Sequence, residues 1–188
     1  MRRSLSLLAV PALVLALASC ASDDTAGAPA ESSAPAASSS ATSDVPQRAT
    51  GADQEPVEGF PAVELDADGR PTVTIPDAEP PTETQVEVLK KGDGAVVADG
   101  DTVTVQYHGV NWTTGEVFDE SWSRGAPATF ATTQVITGFS QGMVGQTVGS
   151  QTVVVIPPAD GYGEAGAPQA GIGGTDTLVF VIDILAVS

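Results

Sequence analysis

In Thr102-Val103-Thr104-Val105-Gln106-Tyr107-His108-Gly109 every second residue from Val103 to Tyr107 is apolar. A period of two places Val103, Val105 and Tyr107 on one face of a strand, and β-branched residues suit that geometry. The pattern recurs on both sides of this stretch. Thr84 to Lys90 carries Val86 and Val88, Ala128 to Ala131 is a further short strand, and Gln151 to Ile156 is β-branched until Pro157-Pro158 stops it. Thr177 to Val187 places Leu178, Phe180, Ile182 and Ile184 on one face. Gly92-Asp93-Gly94 and Asp99-Gly100-Asp101 are turn signals. Gly138 to Val144 alone has a helical pattern, with Phe139 and Met143 at i and i+4. The expected architecture is α+β, a mostly antiparallel sheet with one short helix. His108, at the end of its strand and before Gly109, is expected in a solvent-facing turn.

The aromatics are concentrated. All of them except Phe60 lie from Tyr107 to Phe180, interleaved with Val135, Ile136 and Ile172 and often beside turns. A cluster of rings next to turns points to an apolar pocket. With 1 histidine and 1 cysteine in the chain, no Ser–His–Asp arrangement or metal-ligand cluster can be assembled, and no phosphate loop is present. No cofactor or metal is expected.

The remainder of the sequence sets location and organisation. Arg2 and Arg3 precede an apolar run from Leu5 to Leu17 that is too short for a membrane span of about 20 residues. It closes on Leu17-Ala18-Ser19-Cys20, which resembles a bacterial lipobox with Cys20 as the lipidated residue. Residues 1–20 are therefore expected to be a lipoprotein signal peptide, and the mature protein to be extracytoplasmic and lipid-anchored to the cell membrane. Residues 21–60 are rich in Ala, Ser, Pro and acids and read as a disordered tether with a reach of roughly 35 Å or more. Residues 61–83 hold a short hairpin or linker, with Val63 to Leu65 and Val73 to Ile75 flanking Asp66-Ala67-Asp68-Gly69. Residues 84–188 are expected to be the functional domain. The net charge is −17, and loss of Arg2 and Arg3 leaves 5 basic and 24 acidic side chains. That balance argues against nucleic acid or an anionic lipid surface as a partner.

The phrases Val105-Gln106-Tyr107-His108-Gly109, Gly115-Glu116-Val117-Phe118-Asp119, Val135-Ile136-Thr137-Gly138-Phe139, Val155-Ile156-Pro157-Pro158, Gly161-Tyr162-Gly163 and Leu178-Val179-Phe180 resemble, in order and spacing, the FKBP-type peptidyl-prolyl cis-trans isomerases. The resemblance covers about Thr84 to Val187 and implies a twisted antiparallel sheet wrapped around one short helix. It implies a catalytic set of Tyr107, Phe118, Asp119, Ile136, Tyr162 and Phe180. Val135, Phe139, Ile172 and Arg124 would bind substrate, with Phe139 as the floor for a proline ring. The Ile136 N–H and the Tyr162 hydroxyl would bond substrate carbonyls, and Arg124 would pair with Asp119. The partners implied are proline-containing polypeptides, macrolide inhibitors and, through Cys20, the membrane, with the protein a monomer. An alternative is a weakly or non-catalytic proline-peptide-binding chaperone module. The sequence departs from the family pattern at Phe139, where Trp is common, at Ala128, where an aromatic is common, and in the Gly-rich loop Gly163–Gly174, which carries an insertion. Of the remaining rings, Phe130 reads as core, and Trp122 as a rim aromatic or as packing against Arg124.

Overall fold

The structure, a computed structural model, describes residues 45–188. The expected signal peptide, Cys20 and most of the expected tether lie outside the described residues. Among the described residues there are nine strands, one α-helix and several 310 turns. The main sheet is antiparallel, in the order β1 (Ala52–Asp53), β4 (Gln85–Lys91), β8 (Gln151–Ile156), β9 (Leu178–Val187), β5 (Thr102–Asn111) and β6 (Val117–Glu120). A seventh strand, β7 (Ala128–Ala131), also pairs with β5. Thus β6 and β7 share one edge of β5: β7 takes Thr102 to Val105 and β6 takes His108 to Val110. Between them Ser121 bonds the Tyr107 backbone, its N–H to the carbonyl at 3.0 Å and its hydroxyl accepting the N–H at 2.8 Å, and the 310 turn Trp122–Arg124 follows. The one helix, α1, runs from Thr137 to Gln141.

The sheet is buried on both faces, which explains the continuous apolar runs of β8 and β9. Inward, Val103, Val105, Tyr107, Val154, Ile156, Leu178, Phe180, Ile182 and Ile184 pack with Phe139 and Met143. The helix approaches closely because Gly138 has no side chain; a Cβ there would sit 2.4 Å from Ile156 Cγ2. Outward, Val110, Trp112, Val153, Val155, Val179 and Val181 form a second apolar layer.

That outer layer is covered by the segment before β4. The hairpin of β2 (Ala62–Leu65) and β3 (Pro71–Thr74) turns at Asp66–Gly69, as expected. Phe60, Val63, Val73 and Ile75 pack on the outer layer, and the Trp112 indole N–H donates to the Ala78 carbonyl at 3.3 Å. Residues 61–83 are therefore part of the folded core rather than a lead-in to it.

The tether also ends earlier than its composition implies. Residues 45–60 are ordered against the sheet: Ala49 is buried, its N–H donates to Asp183 Oδ2 at 2.8 Å, and Gly51 N–H donates to the Gly149 carbonyl at 2.9 Å. Asp183 is the reason. It sits inside the apolar run of β9, where burial pushes its carboxyl pKa up, and a buried acid needs partners. The Ala49 N–H and the Gln151 amide, at 2.6 Å, supply them.

His108 is a second correction. It lies within β5, 4 % exposed, and its side chain faces the outer layer rather than solvent. The strand continues past Gly109 to Asn111 because Gly109 leaves space on the inner face. A Cβ there would meet Phe118 Cζ at 2.7 Å and Phe180 Cε1 at 2.8 Å.

Candidate active site

A cavity of about 550 Å³ opens between β5, β6, β7 and the segment that leads into α1. Its wall is built by strand alternation, and by a bulge in β6 that places both Phe118 and Asp119 at the cavity. Tyr107 from β5, Phe118 from β6, Phe130 from β7 and Phe180 from β9 converge on Phe139, which with Gly138 is buried in the short helix α1. The rings meet edge to face: Phe139 lies 5.0 Å from Phe180, 5.8 Å from Phe130 and 5.9 Å from Tyr107, at interplanar angles of 81–89°. Phe118 stands at 88° to Phe180, 5.3 Å away. Such pairs orient one another beyond their area burial.

Three polar groups form one corner. The Tyr107 hydroxyl donates to Asp119 Oδ2 at 2.5 Å, Arg124 Nη1 donates to Asp119 Oδ1 at 2.6 Å, and Arg124 Nη2 donates to the Tyr107 hydroxyl at 2.5 Å. The guanidinium also lies 5.2 Å from the centre of the Tyr107 ring. Burial and the bond to Asp119 push the Tyr107 phenol up to about 12. Burial acts to raise the Asp119 carboxyl too, but hydrogen bonds from Tyr107 and Arg124 outweigh it and hold the group below its usual range. Burial, and then the charge of Asp119, raise Tyr162. At neutral pH the site therefore presents two protonated phenols and one fixed carboxylate.

Ile136 precedes α1 in extended conformation and lines the cavity with Val135 and Tyr162. Among the described residues its backbone N–H has no hydrogen-bond partner. Tyr162, on the loop after β8, is 40 % exposed, and among the described residues its hydroxyl is likewise free. A cavity with an apolar floor, one free N–H and one free O–H can receive a cyclic apolar group and the carbonyls next to it.

Eight of the ten expected site residues line this cavity: Tyr107, Phe118, Asp119, Val135, Ile136, Phe139, Tyr162 and Phe180. Arg124 does not line it; it donates to Asp119 and to the Tyr107 hydroxyl. Ile172 is a correction, being only 2 % exposed and part of the inner core. Ala167 and Ile172 exchange hydrogen bonds at 2.9 and 3.2 Å, which turns Ile172 inward and pushes the Pro168–Ala170 turn outward. Gln169 and Ala170 take the place at the cavity. Sequence reasoning also missed Gln134 as a lining residue and gave Phe130 only to the core, although it lines the cavity. For Phe130 the alternation of β7 was a usable signal; for Gln134 and Gln169 none was present.

The family model described as FKBP-type peptidyl-prolyl cis-trans isomerase matches residues 94–185. An FK506-binding protein of Streptomyces anulatus is 42 % identical over 120 residues, which cover 63 % of this chain and 97 % of that protein. This chain belongs to the FKBP family. It is a peptidyl-prolyl cis-trans isomerase. The peptidyl-prolyl cis-trans isomerase Mip of Coxiella burnetii is 38 % identical over 103 residues, covering 55 % of this chain and 44 % of that protein. The crystal structure of FkpA from Escherichia coli superposes with a TM-score of 0.53 at 32 % identity, over 70 % of this chain and 53 % of that one. The seven-stranded sheet with one short helix among the described residues is accordingly the FKBP fold.

Proposed function

We propose that the cavity seats the proline of an Xaa-Pro segment on Phe139, between Tyr107, Phe118 and Phe180, and that the segment belongs to an exported client. The free Ile136 N–H, beside free Tyr162, is the observation that carries the assignment of roles. Those two donors reach for carbonyls on either side of the Xaa-Pro amide bond, while Val135 and the rings exclude water. Rotation about that bond faces about 18–20 kcal/mol. The planar amide is more dipolar than the twisted one, so an apolar enclosure disfavours the ground state relative to the transition state. A thousandfold acceleration needs only about 4 kcal/mol of such difference. No nucleophile or general acid takes part. Asp119 and Arg124 hold the Tyr107 ring upright at the corner. A macrolide would occupy the same ring-lined space.

Tyr162→Phe removes one donor and leaves the ring. Its kcat/KM in a protease-coupled assay on a proline tetrapeptide is expected to fall about tenfold, the scale of one neutral hydrogen bond. Unchanged activity would remove Tyr162 from the catalytic set.

The finer setting rests on the N-terminus. Arg2, Arg3, the Leu5–Leu17 run and Leu17-Ala18-Ser19-Cys20 support export and lipidation at Cys20. The protein would then act as a monomer, with a complete site in one chain, at the outer side of a bacterial cell membrane. Expressed in a bacterium, the full-length protein is expected in the membrane fraction, and Cys20→Ser is expected to release it. Retention of the Cys20→Ser protein in the membrane refutes the anchor.

A further inference from the structure

Strand β6 carries two acids side by side that point to opposite faces of the sheet. Asp119 pairs with Gly109 and Glu120 with His108 across the β5–β6 ladder. Successive residues of a strand alternate sides, so each face receives one acid from β6 and one ring from β5. Inside, Asp119 takes the Tyr107 hydroxyl and the Arg124 fork. Outside, Glu120 takes His108 Nδ1 on Oε2 at 2.8 Å and an Arg70 fork, with Nε on Oε2 at 3.0 Å and Nη2 on Oε1 at 2.5 Å. Two arginine–acid–ring groups thus sit back to back through one layer of sheet. Arg70 comes from the turn end of the N-terminal hairpin, not from the isomerase domain proper. The hairpin turn also lies near the segment that follows β6: a Cβ added at Gly69 would come within 3.5 Å of Trp122 Cη2.

The two groups are not equally firm. The Asp119 and Arg124 side chains are 46 % and 48 % exposed, and an exposed ion pair does little to fix its own position. β6 is no better held: it is four residues long, lies at the sheet edge, and its ladder to β5 is interrupted by a register shift between Gly109 and Val110. The Glu120 side chain is only 9 % exposed. A buried carboxylate with both oxygens engaged is costly to displace. Its neighbouring Cα is that of Asp119, about 3.8 Å away.

We propose that Arg70, Glu120 and His108 form a brace on the outer face that positions the Asp119–Tyr107–Arg124 corner, which makes hairpin residue Arg70 a positioning residue for isomerisation. The inference rests on the role given above to that corner. The N-terminal hairpin, by this reading, both covers the sheet and sets the geometry of the catalytic rim from behind.

The test uses the full-length protein in detergent. Arg70→Gln is expected to lower Tm, because buried Glu120 loses its guanidinium, and to lower kcat/KM about fivefold at 15 °C, where the variant remains folded, the size of coupling usual between contacting groups. The Arg124 side-chain 15N resonance is expected to shift. In combination with Asp119→Asn, Arg70→Gln is expected to add no further loss, because both act through one corner. Val73→Ala, which loosens the hairpin without touching Glu120, is expected to lower Tm and leave kcat/KM at 15 °C unchanged. Full activity of Arg70→Gln with an unmoved Arg124 resonance overturns the proposal. So does additivity in the double variant, or an equal loss in Val73→Ala. Should Arg70→Gln fail to fold, Arg70→Lys, which keeps the charge and loses the fork, is judged by the same criteria. If Asp119→Asn alone costs no activity, the role of the corner fails, and the Arg124 shift in Arg70→Gln still decides the brace.

Discussion

A fragment beginning at Thr84, where the FKBP resemblance begins, is expected not to fold stably. The cut removes Ala49, β1 and the β2–β3 hairpin. It uncovers Val110, Trp112, Val153, Val155, Val179 and Val181, all now buried on the outer face. Burial of one such side chain is worth roughly 1.5–3 kcal/mol, so re-exposing even part of six costs on the order of 5–10 kcal/mol. Small domains hold only about 5–15 kcal/mol in total. Three polar groups lose partners as well: Glu120 loses Arg70, Asp183 loses the Ala49 N–H, and the Trp112 indole loses the Ala78 carbonyl. Circular dichroism melts and dye binding to exposed apolar surface, run beside a fragment of residues 45–188, read the outcome. The longer fragment is expected to melt cooperatively, and the shorter to aggregate or to melt without a transition. A sharp transition for residues 84–188 within a few degrees of the longer fragment would show that the hairpin is dispensable.

The contrast between the two fragments also explains what could be read from the sequence. Val103, Val105 and Tyr107 alternate on one side and Leu178, Phe180, Ile182 and Ile184 on another strand, so the inner face, the rings and the helix start were all legible. The outer face was not. In Val153-Val154-Val155 every position is apolar, and such a run shows that both sides are buried without showing what covers them. The cover, from Phe60 to Ile75, lies 78–95 residues earlier, in a stretch whose Ala, Pro and acidic composition resembles a tether. A lone acid inside Val181-Ile182-Asp183-Ile184-Leu185 was the available clue, because a carboxylate there demands a donor from elsewhere. His108 misled for a related reason. Gly109 looks like the end of a strand, yet it is there to make room for Phe118 and Phe180. Ile172 misled because an apolar residue on a pocket loop can face either way. The Ala167–Ile172 hydrogen-bond pair, a property of the loop's closed shape, turns it inward and leaves Gln169 at the cavity.

Phe139→Ala is expected to give the largest loss of activity from one substitution. Phe139 is 4 % exposed and touches three other rings edge to face. Truncating a buried Phe costs roughly 3–5 kcal/mol, or about 10 °C in Tm for a domain of this size. The chemical effect is separate. Without its floor the cavity admits water beside the amide, and water solvates the dipolar planar state that the rings otherwise disfavour. Losing most of that difference lowers kcat/KM about 100-fold, close to 3 kcal/mol. Two measurements keep the effects apart. Activity is taken at 10–15 °C, where the variant remains folded, and Phe139→Leu is run in parallel. Leucine keeps much of the volume and the dryness but loses the edge-to-face contacts, so it should recover most of the stability and about a tenth or more of the activity. If Phe139→Ala retains activity within threefold of the parent while folded, dryness of the cavity is not what lowers the barrier. The weight then shifts to the two donors, Ile136 and Tyr162. If Phe139→Leu is as inactive as Phe139→Ala, ring geometry rather than exclusion of water sets the rate.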